Sequence, residues 1–175
     1  MRIYIVGSVG SGKTTLARKL SVMLGIPHYE TDNFVWSRHP DGDIRNSIEV
    51  RDQLFLSAVH SSNWIIEGVH IDWNEEGFKN ADTIVFLDLP PYIRQRQFIL
   101  RYFRQITGRE QANYQPSWAM LRKMFVWNRY FEETMKRQLL EMLKPYENKL
   151  FRIRNKSDLY SYVKRIEMRG KGSKT

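Results

Sequence analysis

Apolar residues occur along this chain as short runs set between longer amphipathic stretches. The runs Arg2-Ile3-Tyr4-Ile5-Val6, Ile26-Pro27-His28-Tyr29-Glu30, Trp64-Ile65-Ile66-Glu67-Gly68, Thr83-Ile84-Val85-Phe86-Leu87-Asp88 and Leu150-Phe151-Arg152-Ile153 read as strands. Between them the spacing turns helical. Thr15–Leu24 is closed by Gly25 and Pro27. After a loop holding Pro40 and Gly42, Ser47 is placed to cap a helix reaching about His60. A helical turn fits before Thr83, and Pro90-Pro91 open a basic helix that Gly108 interrupts. Ser117 caps a long helix to about Lys144, with Met120, Met124, Trp127, Phe131, Met135, Leu139 and Met142 as a stripe of core type. Ser157 caps a last helix, whose Leu159, Tyr162, Val163 and Ile166 share a face. Strands alternating with helices predict an α/β fold in three layers, a parallel sheet of about five strands with helices on both faces. Residues 1–169 form one domain in this reading, and 170–175 a flexible basic tail. Ligands collect at the carboxyl ends of such strands, which here carry Gly7, Asp32, Glu67 and Asp88.

The first strand runs straight into Gly7-Ser8-Val9-Gly10-Ser11-Gly12-Lys13-Thr14, then Thr15. The octet fits the phosphate-binding pattern G-x-x-x-x-G-K-[ST] at every fixed position. Its glycines let successive backbone N–H groups turn inward onto phosphate oxygens. Lys13 is then expected on the β- and γ-phosphates and the Thr14 hydroxyl on Mg²⁺. The helix that follows adds its positive end to the same anion site. Strand, loop and helix come in the order the motif requires, and a nucleoside triphosphate is the expected ligand.

Composition narrows the picture. Five Trp, nine Tyr and nine Phe argue against disorder, and the lack of cysteine excludes disulfides and thiolate metal sites. His28, His39, His60 and His70 match no ligand spacing and read as loop or surface residues. No signal peptide or membrane-length apolar stretch is visible, so a cytoplasmic protein without a membrane partner is expected. The net charge of +9 is unevenly placed: residues 1–93 carry 8 Lys/Arg against 12 Asp/Glu, residues 94–137 carry 10 against 3. A basic second half suits arginines closing over a polyphosphate, or a nucleic-acid partner.

With these residues in view, the chain resembles the small P-loop kinases of the adenylate and shikimate kinase type, within the P-loop NTPase fold. It is most similar to bacterial proteins often named DNA topology modulation proteins. The stretches that carry the likeness are Ile5 to Thr15, Gly25-Ile26-Pro27-His28-Tyr29 with Asp32 and Trp36, Trp64-Ile65-Ile66-Glu67-Gly68, and Ala81-Asp82-Thr83-Ile84-Val85-Phe86-Leu87-Asp88-Leu89-Pro90. The resemblance implies that Glu67 holds Mg²⁺ through water, with Glu standing where those kinases carry Asp. It implies that Asp32 orients the acceptor hydroxyl; a turn or cap aspartate is the other reading. It also implies a helical lid, about residues 94–120, whose arginines close on the phosphoryl group. Arg94, Gln97, Arg101 and Arg104 share one side of the basic helix. Arg101 and Arg104 are the clamp candidates, with Arg122, Arg129 and Arg137 behind them and Gln97 where relatives often carry arginine. A solvated cationic face would show the same letters.

Asn155-Lys156-Ser157-Asp158 sits where these kinases hold the base and matches the N-K-x-D guanine signature of GTPases. A capped helix start has the same letters. ATP is the default nucleotide, GTP the alternative, with Asn155 in the base loop. Asp88 before Pro-Pro reads as turn chemistry. Two functions follow. One is an ATP- and Mg²⁺-dependent phosphotransferase acting on a small-molecule or nucleotide acceptor, with Lys13, Asp32, Arg101 and Arg104 catalytic. The other is a nucleotide-binding regulator that contacts nucleic acid; no helix-turn-helix, zinc-finger or RNA-binding aromatic pattern accompanies it.

Overall fold

The computed structural model describes residues 1–39, 42–110 and 116–172. Pro40 of the expected loop, residues 111–115 of the expected lid and residues 173–175 of the expected tail lie outside the described residues. In chain order the elements are β1 (Arg2–Gly7), α1 (Lys13–Leu24), β2 (His28–Glu30), α2 (Asp32–Val35), β3 (Trp36–Ser37), β4 (Ile44–Arg45), α3 (Ile48–Val59), β5 (Trp64–Gly68), α4 (Glu75–Asn80), β6 (Thr83–Leu87), α5 (Pro91–Ile106), α6 (Trp118–Tyr130), α7 (Lys136–Leu143), β7 (Leu150–Ile153) and α8 (Lys156–Gly172). A π-turn, Phe131–Met135, joins α6 to α7, and a 3-10 stretch, Lys144–Lys149, leads into β7.

The five apolar runs of the sequence become one parallel sheet in the order β2-β5-β1-β6-β7. The strand period sorts their side chains into two cores. Ile3 and Ile5 of β1 meet Leu16, Ala17 and Leu20 of α1 and Tyr162, Val163 and Ile166 of α8. Tyr4 and Val6, pointing the other way, join Phe55 and Val59 of α3, Phe78 of α4 and Leu139 and Leu143 of α7. A smaller cluster, Phe98, Tyr102, Leu121 and Met124, locks α5 to α6. The result is the expected three-layer α/β fold with the carboxyl ends of β1, β2, β5 and β6 along one edge.

Some boundaries differ from the sequence reading. The antiparallel β3–β4 ribbon pairs only Trp36 with Arg45 and Ser37 with Ile44, too short to leave a period. Ser117 does cap its helix, its Oγ accepting from Met120 N at 3.2 Å. That helix runs unbroken to Leu143, close to the expected end, with one π-turn inside it that inserts a residue and shifts the inward line after it. Leu121, Met124 and Asn128 face the core before it and Leu139 and Leu143 after it. Trp127 of the expected stripe stands 47% exposed, one position before the inward Asn128. The last helix is capped by Asn155 rather than Ser157, and it continues through Gly172, so residues 170–172 are helical.

Candidate active site

The octet closes a tight loop between β1 and α1. Ser11 N donates to Ser8 O at 3.3 Å, and Lys13 is already the first residue of α1. Gly10 is required twice over: its φ is +70°, and a Cβ there would stand 2.7 Å from Arg94 O and 3.1 Å from Phe98 Cδ1. The backbone of α5 thus rests directly on the loop. Gln97, one turn on, brings its Oε1 within 3.9 Å of where a Gly12 Cβ would be.

Lys13 folds back so that Nζ donates to Ser8 O at 3.1 Å. Burial pushes its ammonium below the usual lysine range, while Glu67 and Asp32 pull the other way. Glu67 is the penultimate residue of β5 and is 4% exposed. Burial pushes its carboxyl upward against the opposing influence of Lys13 and of the hydroxyl of Thr14, which donates to Oε1. Half-buried Lys13 and buried Glu67 thus act on each other's charge, a perturbed pair of the kind that gathers at functional sites. Gly68 allows Glu67 its place, since a Cβ there would fall 1.8 Å from Thr31 Oγ1. The buried hydroxyls Ser11 Oγ and Thr31 Oγ1 have no hydrogen-bond partner. A hydroxyl and a carboxylate are the oxygen donors that a hard divalent cation takes, so Thr14 and Glu67 fit Mg²⁺. Among the described residues no group of three or more His, Asp or Glu could hold a metal unaided, so such an ion would share its ligands with the phosphates.

Asp32 opens α2 beyond the end of β2, close enough to Lys13 for each to act on the other's charge. His70 Nε2 lies 3.2 Å from Asp32 Oδ1. That bond holds the Asp32 carboxyl below the usual range, with Lys13 and Arg38 adding to it against partial burial. Sequence spacing does not single out His70, because its partner lies 38 positions away and no spacing rule links them.

The basic helix divides its arginines. Arg101 is half-buried, acts on Lys13 by charge, and places Nη2 3.9 Å from Met124 Sδ with Nε unpartnered. Arg104 stands outside this group, Nε donating to Glu110 Oε2 at 2.9 Å. Arg129 likewise pairs with Glu133 at 2.8 Å. Arg94 points inward, fully buried, with Nη2 donating to Glu132 Oε2 at 2.6 Å. Glu132 also meets Lys136, whose Nζ lies 2.8 Å from Asp88 Oδ1. Arg152 completes this ladder through Nε and Nη2 to Asp88 Oδ2, at 2.8 and 2.5 Å. Asp88 is thus an ion-pair hub rather than a simple turn residue. Asn155 Oδ1 accepts from Asp158 N at 3.0 Å and Asp158 Oδ2 from Arg154 N at 2.8 Å, so both side chains of the N-K-x-D tetrad are engaged in a helix cap.

No family model matches the chain. An adenylate kinase of Thermosynechococcus vestitus is 24% identical over 156 residues, 74% of this chain and 79% of that protein. The uncharacterized Bacillus subtilis protein YqaC is 31% identical over 103 residues, 59% of this chain and 57% of that protein. Among solved structures, a shikimate kinase from Acinetobacter baumannii in complex with shikimate superposes with a TM-score of 0.55 at 16% identity, covering 97% of this chain and 94% of that one. The superposition shows that the chain shares the fold of that shikimate kinase, with the glycine-rich loop following β1 at the centre of the sheet.

Proposed function

We propose that this protein transfers the γ-phosphoryl group of ATP to a hydroxyl-bearing small molecule or nucleotide, with Mg²⁺. The observation that carries the reading is the Thr14–Glu67 hydrogen bond at the foot of the loop, with Lys13 beside it. Gly7, Ser8, Val9, Gly10, Ser11, Gly12 and Thr15 wrap the phosphates, and Lys13 exchanges Ser8 O for their oxygens. Thr14, and Glu67 through water, are the residues that would hold Mg²⁺, whose chemistry there is neutralisation of phosphate charge. Asp32 orients the acceptor hydroxyl, and Arg101 approaches the transferred group from α5. Arg104 joins it only by releasing Glu110. Asn155 and Asp158 are committed to the cap, which leaves ATP as the nucleotide of choice.

The test is an ATP-consumption screen across nucleotides, nucleosides and small hydroxyl metabolites, with folded Lys13→Ala protein as the blank. One compound is expected to stimulate turnover, and Lys13→Ala to lose about 10²–10³-fold of it. Wild-type rates from Lys13→Ala, or silence across the panel, would sink the reading. A second reading has one observation in its favour: Arg122, Lys123, Trp127 and Tyr130 lie exposed on the outer side of α6. Cations interleaved with aromatic rings suit single-stranded nucleic acid. Binding that persists at physiological salt would support this reading.

A further inference from the structure

The loop that carries His70 away from β5 is tied down from beneath. Asn74, fully buried, donates through Nδ2 to His70 O at 2.5 Å and to the Tyr4 hydroxyl of mid-β1 at 2.5 Å. Trp73 lies against the imidazole with ring centroids 5.4 Å apart. Trp73 in turn meets Phe55 edge-on at 5.2 Å and is covered by the Arg51 guanidinium at 4.6 Å. The imidazole therefore projects from a fixed base, partly exposed, and meets Asp32. The backbone of Asp32 is held by the buried Phe34 and Val35 beside it, but among the described residues its carboxylate has only His70 as a side-chain hydrogen-bond partner. Asp32 sits on the four-residue helix α2 with its side chain 62% exposed.

We propose that His70 is a positioning residue for phosphoryl transfer: its Nε2–H holds Asp32 Oδ1 and so reserves Oδ2, in one orientation, for the acceptor hydroxyl. The assignment rests on the phosphotransfer reading above. In the transfer, the acceptor oxygen bonds to the γ-phosphorus, and the bond from that phosphorus to the β–γ bridging oxygen breaks with its electron pair leaving on ADP. The hydroxyl proton passes to Asp32 Oδ2 and then to solvent. A carboxylate free to rotate would accept that proton from only a fraction of its rotamers, which lowers the rate without weakening nucleotide binding. The charged groups facing Asp32 are His70 from the β5 loop, Lys13 from α1, Arg38 beyond β3 and Glu67 from β5.

His70→Ala and His70→Gln test this, since glutamine retains a side-chain N–H donor. In nucleotide-free protein, the Asp32 carboxyl ¹³C resonance of wild type is expected to titrate below the usual carboxylate range. It moves up in His70→Ala and lies between the two in His70→Gln. An unmoved Asp32 in folded His70→Ala overturns the proposal whatever the catalytic activity. In phosphotransfer with the acceptor found by the screen, His70→Ala is expected to lower kcat about 10–100-fold with KM for ATP held within about twofold, and His70→Gln to restore most of it. Unchanged kcat in His70→Ala also overturns it. Wild-type protein inert to every acceptor, with the Asp32 shift intact, removes the phosphotransfer reading itself and with it this role.

Discussion

Lys13 and Glu67 set each other's charge, and the effect has a sign that can be measured. Burial raises the Glu67 carboxyl, and Lys13 is the strongest influence holding it down. Lys13→Met should therefore move the Glu67 carboxyl resonance further up in a ¹³C titration. A carboxyl raised in the folded state costs stability as pH climbs from the ordinary glutamate value through the folded one. The melting temperature of Lys13→Met should fall more steeply than that of wild type as pH rises from about 4.5 toward neutrality. The slope is the readout, because losing the ammonium also shifts stability through its lost hydrogen bond to Ser8 O. Parallel slopes would show that the two groups do not interact. At this scale the octet was legible because its chemistry demands particular residue types at fixed intervals. His70 was not, because its role comes from a contact made across the sheet edge, between loops that sequence distance does not connect.

Helix ends show the same division. Asn155 and Asp158 cap α8 reciprocally through Asp158 N and Arg154 N. Asn155→Ala is expected to lower stability by about 1 kcal/mol in a urea melt and to leave the ratio of ATP to GTP affinity unchanged in competition binding. A changed ratio would return the tetrad to base recognition. The letters alone could not separate cap from guanine reader, since both use a side-chain acceptor at the same two places. The five sheet strands were visible because buried parallel strands are apolar runs. The π-turn between α6 and α7 was not, since it adds one residue to a continuous helix without a proline or glycine to announce it. Its footprint is the way Phe131 at its start and Leu139 and Leu143 after it all stay on the buried side.

Across the molecule, the ladder Arg152–Asp88–Lys136–Glu132–Arg94 ties β7, β6, α7, the π-turn and α5 into one unit. Glu132 is its narrowest point, because Arg94 is fully buried and Nε and Nη1 already lack partners. Glu132→Ala should cost about 3 kcal/mol in chemical denaturation, the low end for breaking a buried pair since Glu132 itself is half-buried. A loss below about 1 kcal/mol would mean that water reaches Arg94 freely. The ladder was opaque in the sequence because its members come from five segments and their charges count equally well as surface. It also anchors the end of α5 that touches Gly10 through the Arg94 carbonyl. That contact makes a fulcrum. With about 1.5 Å of rise per residue, the Arg104 end lies roughly 15 Å away, so a tilt of about 10° sweeps it through roughly 2.5 Å. If the loop takes a phosphate as proposed, any strain it places on Gly10 meets α5 first at Arg94, and Gln97, Arg101 and Arg104 lie at graded distances along the same helix.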